Sequence, residues 1–191
     1  DLRRHFGHPE AADSARLGVS PALPCVGGLR GLHNTPWELS PTYPSFMSAS
    51  PSSPARVPCP CGRRDRRELP LVYAQCCGRY VDDFENTPAP DAESLMRSRY
   101  TAFVREQAGY LLDTWHASTR PATLDFESGV KWLGLDVRSR SVLDADHAEV
   151  EFVARQRSSA GVATRLHERS RFVREEAGLH NRWYYVDGDL N

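Results

Sequence analysis

Two tight cysteine pairs, Cys59-Pro60-Cys61-Gly62 and Cys76-Cys77-Gly78, restrict this chain more than any other feature. Four thiolates about 2.3 Å from a tetrahedral zinc ion need sulfurs about 3.8 Å apart, and each half supplies one such pair if its backbone bends. Gly62 and Gly78 supply the bend. In an extended strand Cys76 and Cys77 would point to opposite sides, so joint ligation predicts a turn or a first helical turn there. Cys59, Cys61, Cys76 and Cys77 are thus the candidate ligands of one structural zinc ion. Arg63, Arg64, Arg66, Arg67 and Arg79 lie near enough in sequence to offset the negative charge of four thiolates. Two other readings stand beside this one. Ordinary reduced core cysteines need no metal. A redox pair is the other, but a disulfide between Cys76 and Cys77 would close a strained ring, and neither half has the two-residue spacer of redox sites.

The remaining cysteine, Cys25, stands apart as a free thiol. An odd count in close pairs speaks against a secreted disulfide framework. No apolar run follows Arg3 and Arg4 as it would in a signal peptide, and no stretch approaches the roughly 20 apolar residues of a membrane span. The chain is therefore expected in the reducing cytoplasm, without a membrane partner. A net charge of −1 gives no argument for a nucleic acid or an acidic ligand. Nucleic acid stays open for the arginine loop 63–67 alone, against a plainly solvated loop. A chain of 191 residues allows one core of about 100 to 150 residues with appendages. Residues 1–57 hold most of the prolines, among serine, glycine and alanine, and lack periodicity, which predicts a disordered extension. Its apolar patch, Trp37, Leu39, Tyr43, Phe46 and Met47, is a candidate for docking on the core. The first methionine is Met47, so the part before it is expected to be upstream or added sequence.

From Asp91 the pattern turns helical, with Leu95, Met96, Arg99, Tyr100, Phe103 and Val104 at three- and four-residue steps. Asp91 is the candidate N-cap, after Pro88 and Pro90. A second short helix is predicted over 108–115. Beyond Lys131 the period becomes two. Leu133, Leu135 and Val137 alternate with polar residues, as do Ala148, Val150, Phe152 and Ala154. Leu166, Ser170 and Phe172 face away from Arg165, His167, Arg169 and Arg171, and Trp183, Tyr185 and Asp187 alternate with Arg182, Tyr184 and Val186. Turns are expected at 144–146, 158–161 and 175–181. Short turns between successive strands make an antiparallel meander with helices on one face, so the predicted class is α+β.

The Cys-Pro-Cys-Gly and Cys-Cys-Gly strings resemble the SEC-C motif, the zinc-binding unit at the C-terminus of the SecA translocation motor. Leu95-Met96-Arg97-Ser98-Arg99-Tyr100-Thr101-Ala102-Phe103 and Tyr110-Leu111-Leu112-Asp113-Thr114-Trp115-His116 resemble the YchJ family of uncharacterised bacterial proteins. So do Leu166-His167-Glu168-Arg169-Ser170-Arg171-Phe172 and Arg182-Trp183-Tyr184-Tyr185-Val186-Asp187-Gly188. The resemblance runs over about residues 58–188. It implies a SEC-C-like zinc-binding unit at 58–80 and a nuclear-transport-factor-2-like cone at 81–191, helices wrapped on a curved antiparallel sheet. The chain departs from the motif in one place. Fourteen residues separate Cys61 from Cys76, a longer loop than usual, with Gly62-Arg63-Arg64-Asp65 at its turn; a longer loop adds little closure entropy.

Cones of this kind serve both as enzymes and as binding modules, so the fold leaves function open. An enzyme needs acid-base groups at the mouth, and His116, His167 and Asp187 are the candidates. Arg97, Arg99, Tyr100, Trp115, Trp183 and Tyr185 are the candidate lining of a small-molecule cavity. The plain alternatives are a helix-capping role for His116, structural hydrogen bonds for Arg97 and Arg99, and a place in the core for the aromatic rings. A binding module follows instead from the metal, since four protein thiolates leave no position for substrate. The similar unit of SecA is associated with the chaperone SecB and with ribosomes. The leading expectation is therefore a zinc-dependent protein- or ribosome-binding module.

Overall fold

A computed structural model of the chain describes residues 57–178 and 180–191. The expectations for residues 1–57, Val57 apart, lie outside the described residues, as do the apolar patch at Trp37 and the thiol of Cys25. The described residues fall in one compact unit. Helix α1 is a single turn, Gly78–Val81; α2 is Ala92–Val104 and α3 is Ala108–Asp113. Strands β1 (Lys131–Val142), β2 (His147–Arg157), β3 (Ala163–Ala177) and β4 (His180–Leu190) follow in one sheet of order β1-β2-β3-β4, antiparallel throughout. The predicted α+β meander is the fold.

Asp91 caps α2 as expected, its carboxylate accepting the N–H of Ser94 at 2.7 Å. Leu95, Met96, Tyr100 and Phe103 are buried along the face turned to the sheet, and Ser98, Arg99 and Ala102 are buried with them. Helix α3 stops sooner than predicted because sheet pairing captures its exit. The N–H of Tyr185 bonds the carbonyl of Thr114 at 2.9 Å, and the N–H of His116 bonds the carbonyl of Tyr185 at 2.8 Å. Trp115 thereby bridges to β4 instead of continuing the helix.

Alternation is kept in β2, where Ala148, Val150, Phe152 and Ala154 are buried in the core. It breaks in β1. A register shift between Trp132 and Gly134 turns Trp132 onto Tyr100 and Phe103 and leaves Leu133 47% exposed, so the expected inward set of Leu133, Leu135 and Val137 holds for the last two alone. β1 shifts again between Val137 and Ser139, and a third shift, between Arg171 and Phe172, puts Asp187 beside Arg171 while Tyr185 stays beside Phe172. The β3–β4 connection is shorter than predicted: Glu175, Glu176 and Ala177 pair with Arg182, Asn181 and His180, and the chain turns at Gly178, whose φ is +62°. Among the described residues no helix is long and apolar enough to cross a membrane.

Candidate functional site

The ligand segment is a small clasp followed by two tight turns. The N–H of Cys59 bonds the carbonyl of Leu71 at 2.8 Å, and the N–H of Leu71 bonds that of Arg63 at 3.0 Å, so the arginine loop is closed at its base. Its tip is held by Asp65, whose Oδ1 accepts from the N–H groups of Arg67 and Leu69. Gly62, at φ +71°, turns the chain directly after Cys61. On the other side a 3-10 turn, Tyr73–Gln75, runs into Cys76, and Cys77 is the N-cap of α1. The consecutive cysteines thus sit in a bend, as joint ligation requires. Gly78 is needed for a different reason than predicted: a Cβ there would stand 2.8 Å from the ring of Tyr73.

The four sulfurs all lie within 4.8 Å of one another, with Cys61 and Cys76 at 3.6 Å and Cys76 and Cys77 at 4.0 Å. Each residue is buried, and all four are free thiols. Crowding sets their protonation. Hydrogen bonds from the neighbouring thiols, first that of Cys61, pull Cys59 far below the ordinary thiol range, whereas the bond to Cys59 comes first in pushing Cys76 and Cys77 up. Four buried soft donors with no oxygen or nitrogen among them fit a thiophilic ion in a closed tetrahedral site, so the cluster can hold a metal. The charge of Arg63 interacts with Cys76. Its guanidinium donates to Glu93 and Ser94, both at 3.3 Å, while Arg64 turns away to the carbonyl of Glu68.

The other candidate residues do not share one cavity. Arg97 belongs to the metal segment, donating to Glu93 at 2.7 Å and to the carbonyl of Cys61 at 3.2 Å. Arg99, Trp115 and Tyr185 meet in the interior, where the guanidinium lies 5.0 Å and 4.7 Å from the two ring centroids. Arg99 also donates to the carbonyl of Leu111 and the hydroxyl of Thr114, and burial brings its pKa down to about 10. Tyr100 packs edge-on against Trp132, and Trp183 lies under Arg174. His167 is on the opposite face of the sheet, its Nε2 2.7 Å from Glu151, and Asp187 accepts from Arg171. His116 lies at two clefts, of about 390 and 380 Å³, with Trp115 at the first and Asp187 at the second.

Sequence reasoning passed over three groups. Glu168 is fully buried beside Arg99 with its Oε1 bonded by Ser170 and Tyr185; the period of two already put a carboxylate on the apolar face of β3. Glu93 joins Arg63, Arg97 and Arg140, and Glu175 meets His116 at 3.1 Å. Arg97 is four residues from Glu93, a helical spacing the sequence does offer, but Arg63, Arg140 and the His116–Glu175 pair are far apart in sequence, and no local spacing announces them.

Residues 91–188 match the model of the middle, NTF2-like domain of YchJ. A UPF0225 protein of a Polaromonas species is 71% identical over 131 residues, covering 69% of this chain and 91% of that protein. A UPF0225 protein of Bordetella pertussis is 55% identical over 145 residues, covering 75% and 99%. Among solved structures, a SEC-C motif containing protein from Psychrobacter arcticus matches with a TM-score of 0.58 at 31% identity, over 70% of this chain and 82% of that one. Another from Rhodopseudomonas palustris matches with a TM-score of 0.56 at 29% identity, over 71% and 99%.

Proposed function

Since this chain belongs to the YchJ-like UPF0225 family, in which a SEC-C motif accompanies an NTF2-like domain, we propose that it is a zinc-stapled binding module of the cytoplasm. Cys59, Cys61, Cys76 and Cys77 hold one structural zinc ion, and the unit around it docks on a protein or ribosomal partner. The observation that carries this reading is the closed set of four buried sulfurs. Four thiolates complete a tetrahedral site, so the metal stabilises a surface instead of binding substrate. The surface so ordered presents Arg66, Arg67 and Arg79 with Leu69, which is 59% exposed. Exposed arginines next to an exposed leucine suit an acidic protein face or ribosomal phosphate.

Purified protein is expected to contain one zinc per chain, and a Cys76→Ser, Cys77→Ser double variant none. Wild type should co-sediment with ribosomes in a salt-dependent way. An Arg66→Glu, Arg67→Glu variant should keep its zinc and lose that association. Metal-free wild type prepared under reducing conditions would refute the zinc site. Zinc-loaded protein whose association ignores the arginine charges would refute the docking surface.

A further inference from the structure

The loop after α3 places a hydroxyl, an imidazole and a carboxylate in line. Nδ1 of His116 lies 2.6 Å from the Oγ of Ser118, and its Nε2 lies 3.1 Å from the Oε1 of Glu175. The tautomer follows from a third contact. The backbone N–H of Ser118 also points at Nδ1, at 3.3 Å, and a backbone N–H can only donate. In the neutral ring, Nδ1 therefore accepts and Nε2–H donates to Glu175. The Ser118 hydroxyl must then give its hydrogen to Nδ1. This is the polarity an activated nucleophile needs, with base and orienting carboxylate in series. A local His-x-Ser turn would hold itself without Glu175, which comes from the far end of β3, whereas His116 is fixed by its own backbone bond to Tyr185.

The relay opens on a cleft of about 380 Å³, of the size that small-molecule sites occupy. His116, Ser118 and Glu175 form one wall, and Leu143, Phe172, Val173 and Val186 supply apolar surface to the rest. The charges on that wall are spoken for: Arg171 by Asp187 and Asp189, and His147 by Asp144. The cleft thus suits a short apolar acyl group better than a charged one.

We propose that Ser118, His116 and Glu175 form an acyl-transfer site that hydrolyses short-chain, uncharged carboxylic esters. It stands on residues separate from the thiol cluster and does not depend on the zinc reading. Ser118 Oγ attacks the ester carbonyl carbon while its proton passes to Nδ1 of His116. The bond from carbon to the leaving oxygen breaks, and Nδ1 returns the proton to that oxygen, releasing the alcohol. Water then attacks the acyl-serine, its proton passes through Nδ1 to Ser118 Oγ, and the carboxylic acid leaves. Ser118 and His116 are the catalytic residues, and Glu175 is a positioning residue that accepts from Nε2–H in the neutral ring and so leaves Nδ1 facing the hydroxyl.

The test uses the full chain with 4-nitrophenyl acetate and butyrate, and separately a fluorophosphonate with mapping of the adduct by mass spectrometry. A single adduct on Ser118 is expected. Ser118→Ala and His116→Ala should each lower kcat/KM by about 100-fold or more. Glu175→Gln should lower kcat with little change in KM, and Glu175→Asp should restore part of it. His116 is only partly buried and Ser118 and Glu175 are exposed, so the variants should melt as wild type does. Absence of an adduct, an adduct on another residue, or turnover that survives Ser118→Ala would overturn the proposal. A Glu175→Gln variant with unchanged kcat would remove Glu175 from the relay.

Discussion

Glu168 sits at the centre of the core beside Arg99, and burial pushes its carboxyl up to about 7, against hydrogen bonds from Ser170 and Tyr185 and the charge of Arg99. Asp187 adds a further upward push. Because the folded value stands above the ordinary 4.5, folding favours the protonated acid. That contribution is complete below about pH 4.5 and is lost as pH rises through about 7. The difference amounts to about 3 kcal/mol. Glu168→Gln keeps an oxygen for both hydroxyls and cannot ionise. The expected outcome is that wild type loses stability between pH 5 and pH 8 by an amount the variant does not, measured by denaturant titration at about those two values. Equal pH slopes in the two proteins would refute the assignment. At this scale the sequence was legible wherever the ligand chemistry is local. Cys59, Cys61, Cys76 and Cys77 come from one short stretch, so their spacing spoke for itself. Glu168 was signalled only by parity, and Ser118 with Glu175 only by a contact that the fold makes.

Between elements, one carboxylate gathers guanidinium groups from the ligand segment, the helix and the sheet. Glu93 lies in the first turn of α2 and receives Arg97 from the next turn, Arg63 from the arginine loop and Arg140 from β1. Burial raises its pKa, but Arg97 and Arg63 outweigh this and hold the carboxyl below its ordinary range. Three guanidinium groups sharing one mostly buried acceptor make a network, and charged hydrogen bonds of this kind contribute about 1.5 to 3 kcal/mol each when partly shielded. Glu93→Ala is therefore expected to lower stability by about 2 kcal/mol and to speed amide exchange in residues 58–72 more than in the sheet. An exchange profile that changes evenly would show that Glu93 supports α2 without anchoring the loop. Helices and strands were legible because α2 has a cap and a period, and β2 alternates except at Val153, which is buried as well. The bulges were not. A register shift depends on which side chain the facing helix can accept, and Trp132 wins the place beside Tyr100 and Phe103 by its size.

Over the whole molecule, a separate unit at 58–80 in front of a cone at 81–191 predicts that metal loss melts the first and spares the second. The packing argues for another outcome. Cys59, Cys61, Cys76 and Cys77 share one buried cluster with Tyr73, Tyr80, Leu95, Met96 and Tyr100, so the ligand segment is part of the roof over α2. The sulfur of Cys59 stands 3.8 Å from the hydroxyl of Thr101 in the middle of that helix. Arg105, just past its end, covers the ring of Tyr73 with its guanidinium 4.1 Å from the centroid. If this segment unfolds, Thr101 loses the contact with Cys59 and buried apolar area of the shared cluster is exposed to water, at about 25 cal/mol for each Å². Structural zinc contributes about 10 to 16 kcal/mol of apparent binding free energy in small finger peptides, more than the whole stability of many domains. Chelation is therefore expected to lower the melting midpoint of the entire domain in one transition, with exchange protection falling in α2 as well as in 58–80. Far-ultraviolet circular dichroism and hydrogen exchange, run on the same metal-loaded and metal-stripped samples, would read both effects. A ligand segment that loses protection while α2 and the sheet keep both their protection and their midpoint would show that the roof is a separate unit after all.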